Sequence, residues 1–281
     1  MKILSLFIFV GIICSCNPTA NFELPQVKKQ LVVDGWIENG QNAKVILTYN
    51  TSYFSNLDSA SFRSLVASRA KVTISDGQNS EILTLTRDTN YFPSYVYEGN
   101  EIIGAEGKSY YLTVEDEVDT VHAVTSIPFH GKIDTLWIDY ANNNDTMGII
   151  RGRFTDNANE TNYYRTFTSK YKGSNVYIPT LLSCFSDTYF NGQTVTFSLR
   201  KGIYNQLKPL SNIYFRKGDS ILVKISSIDK ASYNYWLAYQ EAIINATSPF
   251  SAEHNKLISN TDKGLGIWCG YGSSYYPVIA K

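Results

Sequence analysis

The chain is poor in the residues that metal and thiol chemistry use. Its 281 residues include three histidines and four cysteines. None of His122, His130 and His254 stands in a metal-binding spacing such as H-E-x-x-H, so no metal and no cofactor are expected. No G-x-S-x-G occurs, which excludes an α/β-hydrolase nucleophile elbow. There is no excess charge of either sign: 25 basic residues face 25 acidic ones. Nucleic acid, whose phosphates demand a basic face, is therefore not an expected partner. Beyond the N-terminus no apolar run is long enough to span a bilayer. No fixed-period repeat and no low-complexity tract is present.

Two glycine-rich segments fall short of nucleotide motifs. Gly104-Ala105-Glu106-Gly107-Lys108-Ser109 ends like a phosphate loop. Such a loop needs glycine where Ile102 stands, and the strand-like Tyr110-Tyr111-Leu112-Thr113-Val114 follows in place of a helix. Gly264-Leu265-Gly266-Ile267-Trp268-Cys269-Gly270 resembles a dinucleotide fingerprint but has Cys269 at the third glycine and no helix after it. Glu115, Asp116, Glu117 and Asp119 could offer oxygens to calcium, but no calcium-loop pattern frames them, and a solvated turn is the expectation. No pair of carboxylates stands out as catalytic, and the expectation is a protein that is not an enzyme.

What is present begins at the front. Lys2 precedes a mostly apolar run over residues 3–13, then Cys14-Ser15-Cys16. The run suits the core of an export signal and is too short to cross a bilayer. Ser15 is small enough to be the residue before the cut, which makes Cys16 the lipid attachment site. Cys14 is the rival acceptor, disfavoured by bulky Ile13 before it. This reading makes 1–15 a lipoprotein signal peptide and 16–27 a lipidated leash with two prolines, Pro18 and Pro25. The folded part is then tethered to a membrane surface by acyl chains. A disulfide between Cys184 and Cys269 is open to an exported chain; the alternative is two small buried apolar side chains.

About 265 residues then remain for folding, enough for one large domain or two ordinary ones. With 43% hydrophobic residues, they can form a packed core. Tyrosine is abundant, at 21 residues beside 14 Phe and 4 Trp. Its half-polar ring suits strands, and it also suits a surface that stacks on sugars or peptides. Strand patterns recur at 31–37, 43–49, 71–75, 81–86, 95–97, 109–114 and 120–125, with turns at Asn39-Gly40 and Asp76-Gly77. A short surface helix is expected within 58–69. Seven or so short strands predict an immunoglobulin-like β-sandwich over 28–128, ended by Ile127-Pro128. A second β-rich domain, 129–281, shows strands at 133–140, 147–154, 163–169, 194–199 and 220–225, and a last one near 264–270. It also carries one long helix, 229–246, with Asp229 as N-cap. The expected fold is thus mostly β, with two sandwich-like domains and one long helix in the second.

Leu31-Val32-Val33-Asp34-Gly35-Trp36-Ile37, Ser126-Ile127-Pro128, Phe154-Thr155-Asp156, Tyr233-Asn234-Tyr235-Trp236, Pro249-Phe250 and Gly264-Leu265-Gly266-Ile267-Trp268 occur in one order along the chain. In that order they resemble a family of Bacteroidota outer-membrane surface lipoproteins of unknown function, domain-of-unknown-function family 4249. The resemblance covers nearly the whole mature chain; Cys269 stands where glycine is expected. It implies a partner of SusC/SusD-like TonB-dependent importers and other surface lipoproteins, facing the cell exterior and handling an oligosaccharide or peptide. It supplies no catalytic or ligand-binding residue. Triplets such as Asp134-Thr135-Leu136 and Asp219-Ser220-Ile221 are similar to O-glycosylation signals of that phylum. A purely structural interaction subunit is the alternative expectation; a glycan- or peptide-cleaving hydrolase is the third.

Overall fold

The computed structural model describes residues 27–52, 58–142, 146–158, 160–170, 176–202, 213–245 and 257–281. The export signal, Cys14, Cys16, nearly all of the leash, His254 and Pro249-Phe250 lie outside them. Among the described residues nine elements precede residue 128: β1 (Leu31–Glu38), β2 (Asn42–Tyr49), α1 (Ser59–Ser64), β3 (Lys71–Ser75), β4 (Ser80–Ile82), β5 (Thr84–Thr86), β6 (Val96–Ile103), β7 (Ser109–Glu115) and β8 (Thr120–Ser126). Nine more follow: β9 (Ile133–Tyr140), β10 (Met147–Thr155), β11 (Tyr163–Lys170), β12 (Ile178–Ser186), β13 (Thr194–Leu199), β14 (Phe215–Arg216), β15 (Ser220–Ile228), α2 (Lys230–Asn245) and β16 (Leu265–Ile279). The chain is mostly β, as its alternating apolar pattern predicts. Among the described residues no helix is long and apolar enough to cross a membrane.

The central element is an eight-stranded sheet in the order β12-β11-β15-β16-β1-β2-β6-β5. Successive side chains on a strand point to opposite faces, so each strand serves two environments. On β1, Leu31, Val33 and Ile37 are buried in one core while Asp34 and Trp36 face the other way. The first face is covered by two smaller sheets. One, β4-β3-β7-β8, closes a core of Val45, Leu47, Val72, Ile74, Leu112 and Val114. The other, β13-β10-β14 with β9 on β10, closes a core of Ile150, Phe215, Ile221 and Val223. The opposite face carries α2, packed through Tyr235 and Trp236 on Phe167, Ile228, Ile267 and Cys269.

The boundary drawn at residue 128 separates the two small sheets but not the large one. β16 pairs in parallel with β1 and antiparallel with β15, so one strand joins the halves. Its Trp268 is fully buried in the core built from 31–127 and donates from Nε1 to the Tyr110 carbonyl at 3.0 Å. Gly35 makes room for that indole: a Cβ there would stand 2.9 Å from Trp268 Cε3. Gly266 sits at φ +111°, where a Cβ would run into the Val33 carbonyl oxygen, so the close parallel pairing requires glycine. This explains the glycine spacing that imitates a dinucleotide motif.

Helix α2 starts as expected. Asp229 Oδ1 accepts from the Ser232 amide at 2.7 Å, and Oδ2 accepts from Thr125 Oγ1 at 2.7 Å on β8. The possible Cys184–Cys269 disulfide is not formed: both thiols are buried and free. Cys184 on β12 and Cys269 on β16 are separated by β11 and β15. That is three strand spacings of about 4.8 Å each, well past the reach of a disulfide. Each acts as a small apolar side chain, and burial pushes the Cys269 thiol up to about 12.

Candidate functional site

Beside α2, on the same face of the large sheet, the described residues form a cavity of about 710 Å³. Strand alternation builds its floor. Asp34, Trp36 and Glu38 come from β1, Arg165 and Phe167 from β11, Lys224 from β15 and Tyr271 from β16. These residues are far apart in sequence, but their strands are neighbours in the sheet. The walls include Trp236 of α2, Tyr91 and Phe92 of the segment before β6, and Tyr177 before β12. Trp36 and Tyr91 pack with ring centroids 5.4 Å apart. Lys44, bonded to Glu98 at 3.1 Å, lies 5.4 Å from the Tyr91 ring and braces that wall.

Two cations and two carboxyls line this space, in unlike situations. Glu38 is 3% exposed. It accepts from Lys224 Nζ at 2.5 Å and from the Tyr275 hydroxyl. Lys224 also lies 4.8 Å from the Phe167 ring and 5.1 Å from that of Tyr271. Burial lowers its pKa, and Glu38 acts against that shift. This pair neutralises itself.

Arg165 has no such partner. It is 6% exposed. Its guanidinium carbon sits 3.4 Å from the Trp236 ring centroid, and Nη1 donates to the Tyr271 hydroxyl at 2.7 Å. Among the described residues Nε finds no hydrogen-bond partner, and neither does Trp236 Nε1. Among the described residues no carboxylate lies within ion-pair distance of Arg165. Asp34 lines the cavity and is exposed there, while the protein around the cavity partly desolvates its carboxyl. Burial holds its carboxyl above 3.8, and the Arg165 guanidinium partly offsets that. The arrangement can hold an oxygen-rich or charged ligand between flat aromatic faces.

The acidic group at 115–119 is spent on local contacts. Glu115 pairs with Lys71 at 2.8 Å and Asp119 with Lys263 at 3.0 Å, while Asp116 accepts from the Tyr49 hydroxyl at 3.1 Å. His122 is an exposed strand residue whose Nδ1 meets Thr113 Oγ1, and His130 Nδ1 meets Glu106 at 2.7 Å. Neither reaches the cavity. A second cavity of about 420 Å³ is walled by Phe154, Phe185, Phe190 and Phe197, and no charged residue lines it among the described residues. No ligand-binding residue is identifiable from the sequence alone. The one local signal for this cavity is Asp34-Gly35-Trp36, a charged and an aromatic residue on the same face of an otherwise apolar strand.

A family model described as a domain of unknown function, DUF4249, matches residues 19–275. No curated protein matches the chain.

Proposed function

This chain belongs to the DUF4249 family, and from that premise we propose that it is a lipid-anchored, outer-membrane surface protein serving a SusC/SusD-type nutrient importer. In this reading it binds a glycan or peptide oligomer in the cavity over β1, β11, β15 and β16 and is not itself an enzyme. The observation that carries the reading is the cavity: about 710 Å³, with aromatic walls and the unpaired Arg165 in its floor. That volume lies in the range of small-ligand sites, roughly 300–1,000 Å³. The Ser15-Cys16 junction supports the placement, and the aromatic rings supply stacking faces for sugar rings or peptide planes.

A hydrolase reading has one point in its favour, since Asp34 is a cavity carboxyl with a raised pKa. The second carboxylate such chemistry uses would be Glu38, which is committed to Lys224 and Tyr275. Binding is therefore the better account.

The test uses the full chain extracted from membranes in detergent. It should co-purify with an importer and quench its tryptophan fluorescence on adding that importer's cargo. Cys16→Ala should move the protein out of the membrane fraction. A chain that binds no cargo, keeps no importer and sediments with membranes regardless of Cys16 would end the reading.

A further inference from the structure

We propose that the ligand of this cavity carries a carboxylate and that Arg165 is the residue that seats it. The inference rests on the cavity being a binding site, and it names the chemical class that site selects. A guanidinium taken out of water loses solvation, and folded proteins restore it with a carboxylate. Among the described residues no carboxylate pairs with this guanidinium. Glu38 faces Lys224, and Asp34 shares the cavity without pairing to Arg165. The Tyr271 hydroxyl satisfies one donor and leaves the charge uncancelled.

The guanidinium is also held in one orientation. Stacking at 3.4 Å on Trp236 fixes its plane, and the Phe167 ring lies 4.9 Å from its carbon on β11. A planar fork held in this way is suited to two parallel hydrogen bonds with a carboxylate. A lysine, a point charge on a flexible stem, is not. The body of the ligand would lie along Trp36, Tyr91 and Tyr177, which also line the cavity. Two sources can provide the carboxylate, the free C-terminus of a short peptide and a uronic acid unit of a glycan.

The experiment measures binding to the detergent-extracted full chain by calorimetry and by tryptophan fluorescence, with four probes. These are tri-alanine, tri-alanine amide, tri-galacturonate and maltotriose. The expected result is that one acid binds at least tenfold more tightly than its counterpart without a carboxylate. Tri-alanine over its amide assigns a peptide end, and tri-galacturonate over maltotriose assigns an acidic sugar. Arg165→Gln should abolish that preference and Arg165→Lys should weaken it. The acid-against-neutral comparison in the unaltered chain decides the matter if either variant fails to fold. If a probe without a carboxylate binds as tightly as its acid, and Arg165→Gln leaves both unchanged, the carboxylate assignment falls while the cavity remains a binding site. If none of the four binds, the cavity is not the site and both readings fall.

Discussion

A buried guanidinium without a carboxylate costs the folded state solvation and recovers only ring contacts and one hydrogen bond. Arg165→Met, which keeps the stem and removes the charge, should therefore leave ligand-free stability unchanged or raise it in urea unfolding. A loss beyond about 2 kcal/mol would make Arg165 a structural pillar instead. Lys224 is the opposite case. Its pair with Glu38 is closed, so Lys224→Met should cost about 3–5 kcal/mol by stranding a buried carboxylate, and adding Glu38→Gln should recover most of the loss. For Asp34 the sign follows from its raised pKa. The folded chain binds that proton more readily than the unfolded chain does, so the charged form opposes folding. The penalty holds above the folded pKa and fades as pH falls through it toward 3.8. Asp34→Asn should thus raise the melting midpoint slightly at pH 7, an effect reduced by water in the cavity, and change nothing near pH 3.5. Equal shifts at both pH values would contradict this account.

Among the elements, α2 is anchored at its start by one side chain. Asp229 caps the helix and also holds β8 through Thr125 Oγ1 and the Ser126 amide at 3.2 Å. Asp229→Ala should cost about 2–3 kcal/mol, more than a cap alone, and should loosen the Trp236 wall of the cavity. Amide exchange across 230–245 would register it. The strong alternations that form β3, β9 and β13 were legible in the sequence, and so was the cap of α2. β12 was not: it is an edge strand, carries Pro179, and bends at Leu182 with φ 59°. The cavity was illegible for a different reason. Asp34, Arg165, Lys224 and Tyr271 meet through strand order, and local pattern says nothing about which strands become neighbours. Tyrosine abundance hinted at stacking surfaces but could not say which rings face one cavity.

At the scale of the molecule, both halves depend on β16. It supplies Trp268 to one core and Val278 to another, and its Ile267, Cys269 and Tyr271 lie under α2. Residues 28–128 expressed alone lack that indole and leave β1 with an open edge. They should show no cooperative thermal transition, whereas the full chain should; a sharp melt of the fragment would mean its core closes without Trp268.

The same strand sets an order of events. Residues 265–279 leave the ribosome after every other described strand, so the two cores that take Trp268 and Val278 from them are incomplete until they emerge. A chain bound for a translocation channel must still be threadable when it arrives there. Under the export proposed above, a keystone made after the other described strands keeps the polypeptide open until it has been passed across the membrane.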